Sequence, residues 1–393
     1  MHRSCNNPGL CFNVSAPGKV ILYGEHSVVH DKLAVAASLG LRTYLHFDEC
    51  PSSDNIHFEI PAVNLEYSVN FTVLQQWMNY LLEDNGSTIT LGPDLLDHAE
   101  VVTSVQSFLK SNSKVEFNEQ QLASLTGIFY LLFGILHSVN ELKPFTVKLG
   151  SDLTLGAGTG SSASFAVTVA AAFVYYKHFK LLSAKLTTFS DDEKSLISKW
   201  AYCIEKINHG LPSGIDNAIC TYGSMVMFRK SEGMQLMSTC EFQLLLINTE
   251  VSRSTKQILN NVIALMQNHK AVIDSVMATM DLIAKSAVSC IIEITNDVNN
   301  PILYQRLGEL THINQCMLES LGASHPTIDK ICSILKASGL NGKLTGAGGG
   351  GYVIAIIPPY VSKNLLNDLI EQLNSEGFRT NLTKLGGLGV SIS

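Results

Sequence analysis

Charge is scarce in this chain. Asp, Glu, Lys and Arg make up only 16% of its 393 residues, and the formal net charge is -7. That balance gives no general attraction for nucleic acid or for an anionic membrane. An anionic ligand would have to be held by local groups: amide donors, helix ends or a few lysines. The nine cysteines include no CxxC pair. Their odd number and wide spacing argue against a disulfide framework and for a reducing, intracellular compartment. The first eleven residues lack the apolar stretch of a secretory signal. The longest strongly apolar run, Phe165 to Tyr176, is too short to span a bilayer. The final Ser391-Ile392-Ser393 is not a peroxisomal address. A soluble cytosolic protein is the expectation. Repeats and low-complexity segments are also missing.

Hydrophobic residues are plentiful, at 46%. That is ample for packed cores and excludes a disordered chain. The length suits two domains. Phe12 to Val14 and Val20 to Tyr23 read as short strands around the turn Ala16-Pro17-Gly18. Leu33 to Phe47 reads as one or two buried strands. Leu74, Trp77, Met78 and Leu81 recur at helical spacing, as do Leu122, Leu125, Phe129, Leu132 and Phe133. A strand over Phe145 to Leu149 precedes an apolar helix over about 161–177. A further helix over about 192–208 carries Leu196, Trp200, Cys203, Ile204 and Ile207 on one side. The pattern restarts near Thr239 with a strand over Phe242 to Asn248, then long helices to Leu340. It closes as strand, helix, strand over 352–357, 361–374 and 380–385. Helices and strands without strict βαβ alternation predict an α+β fold, divided into residues 1–238 and 239–393.

The octapeptide Gly156-Ala157-Gly158-Thr159-Gly160-Ser161-Ser162-Ala163 is the most informative stretch. Glycine costs about 0.5–1 kcal/mol against alanine in regular structure, so three in alternation need an offsetting reason. They allow positive φ and bring a ligand close to bare amides. Two serines then open an apolar helix whose first N–H groups lack internal partners. The result is an anion site at a positive helix end. A serine-capped linker is the bland alternative. A Walker loop is excluded because no lysine follows, and a dinucleotide fingerprint fits poorly because the third glycine comes one position early.

Two more glycine segments flank this one. Ser15-Ala16-Pro17-Gly18-Lys19-Val20-Ile21-Leu22-Tyr23-Gly24-Glu25-His26 places a lysine, a glutamate and a histidine beside two tight turns. Lys343-Leu344-Thr345-Gly346-Ala347-Gly348-Gly349-Gly350-Gly351 has five glycines in six positions before an apolar strand. Such density points to close approach of backbone to a ligand, or to the other glycine turn.

PGKVILYGEH, GAGTGSSA and KLTGAGGGG, in that order over nearly the whole chain, closely resemble the three motifs of the GHMP kinases. The first and third look most like those of the mevalonate-phosphorylating branch. The resemblance implies a two-domain α+β fold with ATP and substrate in the cleft between domains. It also implies transfer of the ATP γ-phosphoryl group to the primary hydroxyl of mevalonate. Another member, such as a galactokinase, and a catalytically silent binding protein of the same fold are the alternatives. By the same resemblance the nucleotide contacts are Lys19, Ser151, Gly156, Ala157, Gly158, Thr159, Gly160, Ser161 and Ser162. Ser162 and Glu205 resemble the magnesium ligands, although Glu205 by itself reads as a surface residue. One hydroxyl and one carboxylate suit a hard cation that keeps waters and phosphate oxygens. Asp216 resembles the general base, with Lys19 beside it. A carboxylate can take the proton of an alcohol while an ammonium stabilises developing charge. Glu25, His26 and Thr255 are the further substrate-side residues, with Lys19 and Asp216. A homodimer and feedback inhibition by isoprenoid diphosphates are also implied. The chain departs from the family pattern in three places. Thr154-Leu155 replaces a proline-containing pair, Thr159 replaces a leucine, and Tyr352 stands where a smaller residue is frequent.

Overall fold

A computed structural model describes residues 9–84, 92–96, 98–139, 141–209, 214–252 and 255–393. The strands are β1 (Cys11–Tyr23), β2 (Ala34–Glu49), β3 (Asn55–Ile60), β4 (Leu65–Asn70), β5 (Phe145–Ser151), β6 (Met225–Arg229), β7 (Gly233–Met237), β8 (Phe242–Asn248), β9 (Lys343–Thr345), β10 (Tyr352–Ile357), β11 (Arg379–Leu385) and β12 (Ser391–Ile392). The helices are α1 (Phe71–Asp84), α2 (His98–Ser111), α3 (Glu119–Leu136), α4 (Ser161–Leu182), α5 (Asp191–His209), α6 (Ile215–Tyr222), α7 (Thr255–Asn268), α8 (Lys270–Asn296), α9 (Pro301–Ser320), α10 (Pro326–Ala337) and α11 (Lys363–Ser375). The α+β class is as expected.

The strands form one 12-stranded sheet whose main path runs β4-β3-β5-β2-β11-β8-β10-β9. β2 is its spine. One end of β2 pairs with β5, the other with β6, and Leu39 in its middle meets Leu385 of β11. A strand paired along its length reads as nearly continuous apolar sequence, as Ala34 to Leu39 does. β1 is a single strand rather than two. It follows β2 throughout, with register shifts between Pro17 and Lys19 and again before Tyr23. Such irregularities re-aim side chains next to sites, and Lys19 follows the first of them. The 49–70 stretch forms the hairpin β3–β4.

Three large apolar clusters fill the layers, and a small fourth joins Ala36, Ile219 and Val226. One lies under β1, β3, β5 and α1 to α5, and includes Phe47, Phe129, Phe173 and Trp200. A second lies under β8, β10 and α7 to α11. Between them a mixed cluster joins Val20, Leu22 and Leu153 to Leu246, Ile354 and residues of α8 and α9. The helix starts follow local rules. α3 opens on a reciprocal Asn118–Gln121 capping box, and α9 and α10 carry Pro in the first turn. Among the described residues α8 is the one helix long and apolar enough to cross a membrane. Its Asp281 bonds Arg229 of β6 and Lys285 of its own helix, and its buried face joins the mixed cluster.

The chain end turns back to the start. β12 pairs with β1, and Arg42 donates to Leu388 O, Gly389 O and Ser391 Oγ. On α5 the inward face differs from expectation. Ile197 and Ala201 are buried with Trp200, while Leu196 faces solvent.

Candidate active site

α4 begins beside the bulged part of β1, and the glycine turn lies between them. Gly156, Gly158 and Gly160 take φ of 71°, 87° and 76°, the left-handed region that glycine enters freely. The helix cap is Gly160 rather than a serine, and it has no side chain to occupy the first-turn amides. The N-terminal anion site is thus left for a ligand. Close approach explains two glycines. A Cβ on Gly18 would lie 2.7 Å from Thr159 O, and one on Gly160 would lie 2.7 Å from Lys19 Cγ. The Lys19 N–H donates to Thr159 O at 2.8 Å, and Ser164 Oγ donates to Ala16 O at 2.8 Å. Turn and strand are held as one unit.

Lys19 Nζ reaches Asp216 Oδ2 at 3.1 Å, with side-chain exposures of 9% and 37%. Asp216 occupies the first turn of α6, where the helix end favours a negative charge. Asn217 ties α6 to α5 by donating to Ser198 O and Ser198 Oγ. Glu205, on α5, is buried rather than on the surface, at 7% exposure, and its Oε2 has no hydrogen-bond partner among the described residues. Burial, then the nearby Asp216 charge, push its carboxyl up to about 8, against the pull of Lys19. Asp216 already holds Lys19, so the Glu205 carboxyl is the uncompensated acceptor, and a cation beside it would favour its ionised form. A hard divalent cation fits that donor set.

Beside the turn a cavity of about 230 Å³ runs inward. Its walls include Ile60, Val63, Ala123, Leu149, Phe165 and Ile204, and one end carries Ser151, Gly156, Ser161 and Ser162. An apolar slot that ends on bare amides and hydroxyls has the shape of a nucleoside site. Sequence reasoning found the polar end but missed the walls from 60–63 and α3, which come from ordinary helical and strand residues. Ser151 is held by Thr43 Oγ1 at 3.1 Å and accepts from the Leu153 N–H. The Thr159 hydroxyl is buried without a partner.

The substrate-side pair behaves unexpectedly. The Glu25 carboxylate is fully enclosed and paired with Lys343 Nζ, which also donates to Leu344 O at 2.6 Å. Asn314 Nδ2 approaches its other oxygen at 3.5 Å. Glu25 therefore lines no open surface. It rivets the first glycine segment to the third. Thr345 adds to this by accepting from the Ile21 N–H and donating to Ile21 O. His26 Nε2 bonds Ala347 O at 2.9 Å from a backbone φ of 61°, while its Nδ1 is buried without a partner. Burial lowers the His26 pKa, opposed by that carbonyl and by Glu25. Lys343 opens the third glycine segment but was given no role there, and Asn314, in an ordinary helical stretch, carries no local signal. The Thr255 side chain lies outside the described residues, as do Arg253, Ser254 and residues 210–213 before Asp216.

These features define a class: a kinase of small molecules built from three glycine segments. The profile described as GHMP kinases N terminal domain matches residues 128–224, and GHMP kinases C terminal matches 302–376. Mevalonate kinase of Bos taurus is 32% identical over 384 residues, covering 96% of this chain and 94% of that protein. Mevalonate kinase of Arabidopsis thaliana is 32% identical, covering 96% and 98%. The chain belongs to the mevalonate kinase family. Solved structures carry the same fold. The crystal structure of a mevalonate kinase aligns with a TM-score of 0.68 at 22% identity, covering 96% of this chain and 99% of that one. The L. major mevalonate kinase in complex with R-mevalonate aligns with a TM-score of 0.64 at 20% identity, covering 99% and 100%.

Proposed function

We propose that this chain transfers the γ-phosphoryl group of ATP to the primary hydroxyl of (R)-mevalonate, yielding 5-phosphomevalonate. The observation that carries this reading is the Lys19–Asp216 pair at 3.1 Å, beside the amide end of α4 and the unpartnered Glu205 oxygen. Asp216 Oδ accepts the proton of the substrate hydroxyl as its oxygen attacks phosphorus. The Lys19 ammonium stabilises the developing alkoxide and phosphoryl charge. The first-turn amides of α4 and the turn 156–162 hold the phosphates, and the adjoining slot takes the nucleoside. Ser162 Oγ and the Glu205 carboxylate are the residues that would hold Mg²⁺. When bound, that ion neutralises phosphate charge and orients the leaving group. On the acceptor side Lys19 and Asp216 are the principal residues, with His26 and Thr255 as the further candidates.

With the domain bounds proposed from sequence, the labour divides as follows. Residues 1–238 supply the turn, Lys19, Glu205 and Asp216. Residues 239–393 supply Lys343, Asn314 and the third glycine segment, with the cleft between. The scattered cysteines support a reducing cytosolic setting, and the family resemblance supports a homodimer. The test is a coupled assay of ATP consumption with mevalonate, galactose, homoserine and phosphomevalonate side by side. Mg²⁺-dependent turnover with mevalonate alone is the expected result. Turnover of another alcohol with none of mevalonate would sink the substrate assignment.

A further inference from the structure

The entry to the phosphate turn is the short approach Asp152 to Leu155. Only Leu153 is buried there; its three neighbours face solvent. Leu153 sits in the mixed cluster with Val20, Leu22 and Tyr352. One residue on, Thr154 Oγ1 and the Tyr352 hydroxyl lie 2.9 Å apart, with the phenol donating. The partners are 198 residues apart in the chain. Tyr352 begins β10 directly after Gly351, pairs with Thr345 on one side and Asn248 on the other, and is buried. A three-stranded unit thus presents a fixed phenol to an otherwise exposed segment.

That segment needs such a hold. The glycines at 156, 158 and 160 sit at positive φ without resistance and equally resist nothing, so the turn does not position itself. Its exit is fixed by the Lys19 N–H on Thr159 O and by α4. Its entry is tied to β2 at Asp152, which bonds Arg42 and Tyr44, and beyond that residue it has the Leu153 side chain, the Leu153 N–H on Ser151 Oγ and the Thr154–Tyr352 bond. The same two residues are two of the three departures from the family pattern. A proline at the entry would stiffen the chain through its fixed φ. Threonine does not, and the large residue after the last glycine supplies a tether instead.

We propose that Thr154 and Tyr352 form a latch between β10 and the entry of the phosphate turn, and that the latch sets the affinity of the turn for ATP. Both are positioning residues, since neither is placed on the reacting atoms. The inference rests on the reading of turn 156–162 as the ATP phosphate site. The latch makes the third glycine segment a partner of the second as well as of the first. Through it, β10 in the second half of the chain bears on nucleotide binding in the first half.

The experiment is calorimetric titration of the full chain with MgATP, alongside steady-state kinetics with mevalonate. Loss of one neutral hydrogen bond should weaken ATP about threefold to tenfold in Tyr352→Phe and in Thr154→Val, in both Kd and KM for ATP. The KM for mevalonate should stay within about twofold, a split that general loosening would not produce. Thr154→Ser keeps the hydroxyl and should bind ATP like the parent. The Tyr352→Phe, Thr154→Val double variant should be no weaker than either single, because the two side chains serve one bond. Unchanged ATP affinity in both single variants, additive losses in the double, or equal loss for both substrates would overturn the latch. A parent chain that binds MgATP but leaves mevalonate untouched refutes the proposed substrate and still allows the binding test. A parent that binds no MgATP refutes the reading of the turn and the latch together.

Discussion

Two lysine–carboxylate pairs lie near the cleft, and they are built for opposite purposes. Lys19–Asp216 is open. Asp216 is 37% exposed, and its oxygen meets one ammonium at 3.1 Å. Lys343–Glu25 is closed, with side chains 1% and 0% exposed and with Asn314 and Leu344 O completing the bonding. The same chemical pair is open to a ligand where one member is partly exposed. It is structural where every neighbour is protein. Burial tightens the second pair but removes it from chemistry, because a substrate would have to displace bonds that no water replaces. The difference also separates two kinds of glycine segment: one bares its amides to a ligand, and the other is crowded against the protein itself. In the third segment a Cβ on Gly348 would lie 2.0 Å from Ala323 O.

The comparison breaks first at Asp216. Asp216→Asn should lower kcat about 100- to 10,000-fold through loss of the base while calorimetric ATP affinity is largely kept. Near-parental turnover would remove Asp216 from that role. Next comes the closed pair. Lys343→Met should cost about 3–5 kcal/mol of unfolding free energy by stranding a buried carboxylate. Pairing it with Glu25→Leu should return most of that loss in denaturant melts. If the double variant is instead less stable than Lys343→Met, the two residues do not act as a buried pair. A smaller effect is expected at the contact of turn and strand. Gly18→Ala pushes a methyl against Thr159 O and Leu153 Cδ2, which would lie 2.7 and 2.5 Å away. Overpacking there should cost about 1–3 kcal/mol and raise the KM for ATP more than that for mevalonate. A parental KM for ATP would show that the strand can yield. The smallest change sharpens the contrast from outside. Lys148–Glu59, at 2.8 Å on the sheet surface, is partly exposed on both sides. Glu59→Gln should shift stability by less than about 1 kcal/mol, and a larger loss would mean that exposure is a poor guide to these pairs.

Much of the site was legible in sequence because its signals are local. The glycine spacing marks a turn at positive φ, and the serines mark a helix start. Strands 242–248 and 352–357 were read to the residue because alternation gave way there to short apolar runs with clear punctuation. Expectation failed where neighbours far along the chain decide. Glu205 looked like a surface residue on the polar side of its stripe, yet the fold buries it near Asp216 and Lys19. Glu25 looked like a cleft residue, yet Lys343 seals it. The helix cap passed from serine to Gly160 because the turn needs positive φ at that position. β1 continues through Pro17 because β2 pairs with it on both sides of the irregularity.

The sequence by itself marked a glycine turn at a helix start and a lysine beside two tight turns. Residue type and near spacing suffice for the turn and the helix start, which are settled within a few residues, and the family resemblance supplied the proposed roles of Lys19, Ser162, Glu205 and Asp216. Only the tertiary structure decided which charges stay open and which are sealed, which walls make the nucleoside slot, and that Thr154 and Tyr352 meet. Those outcomes depend on burial and on contacts across hundreds of residues, and a linear pattern carries no record of either.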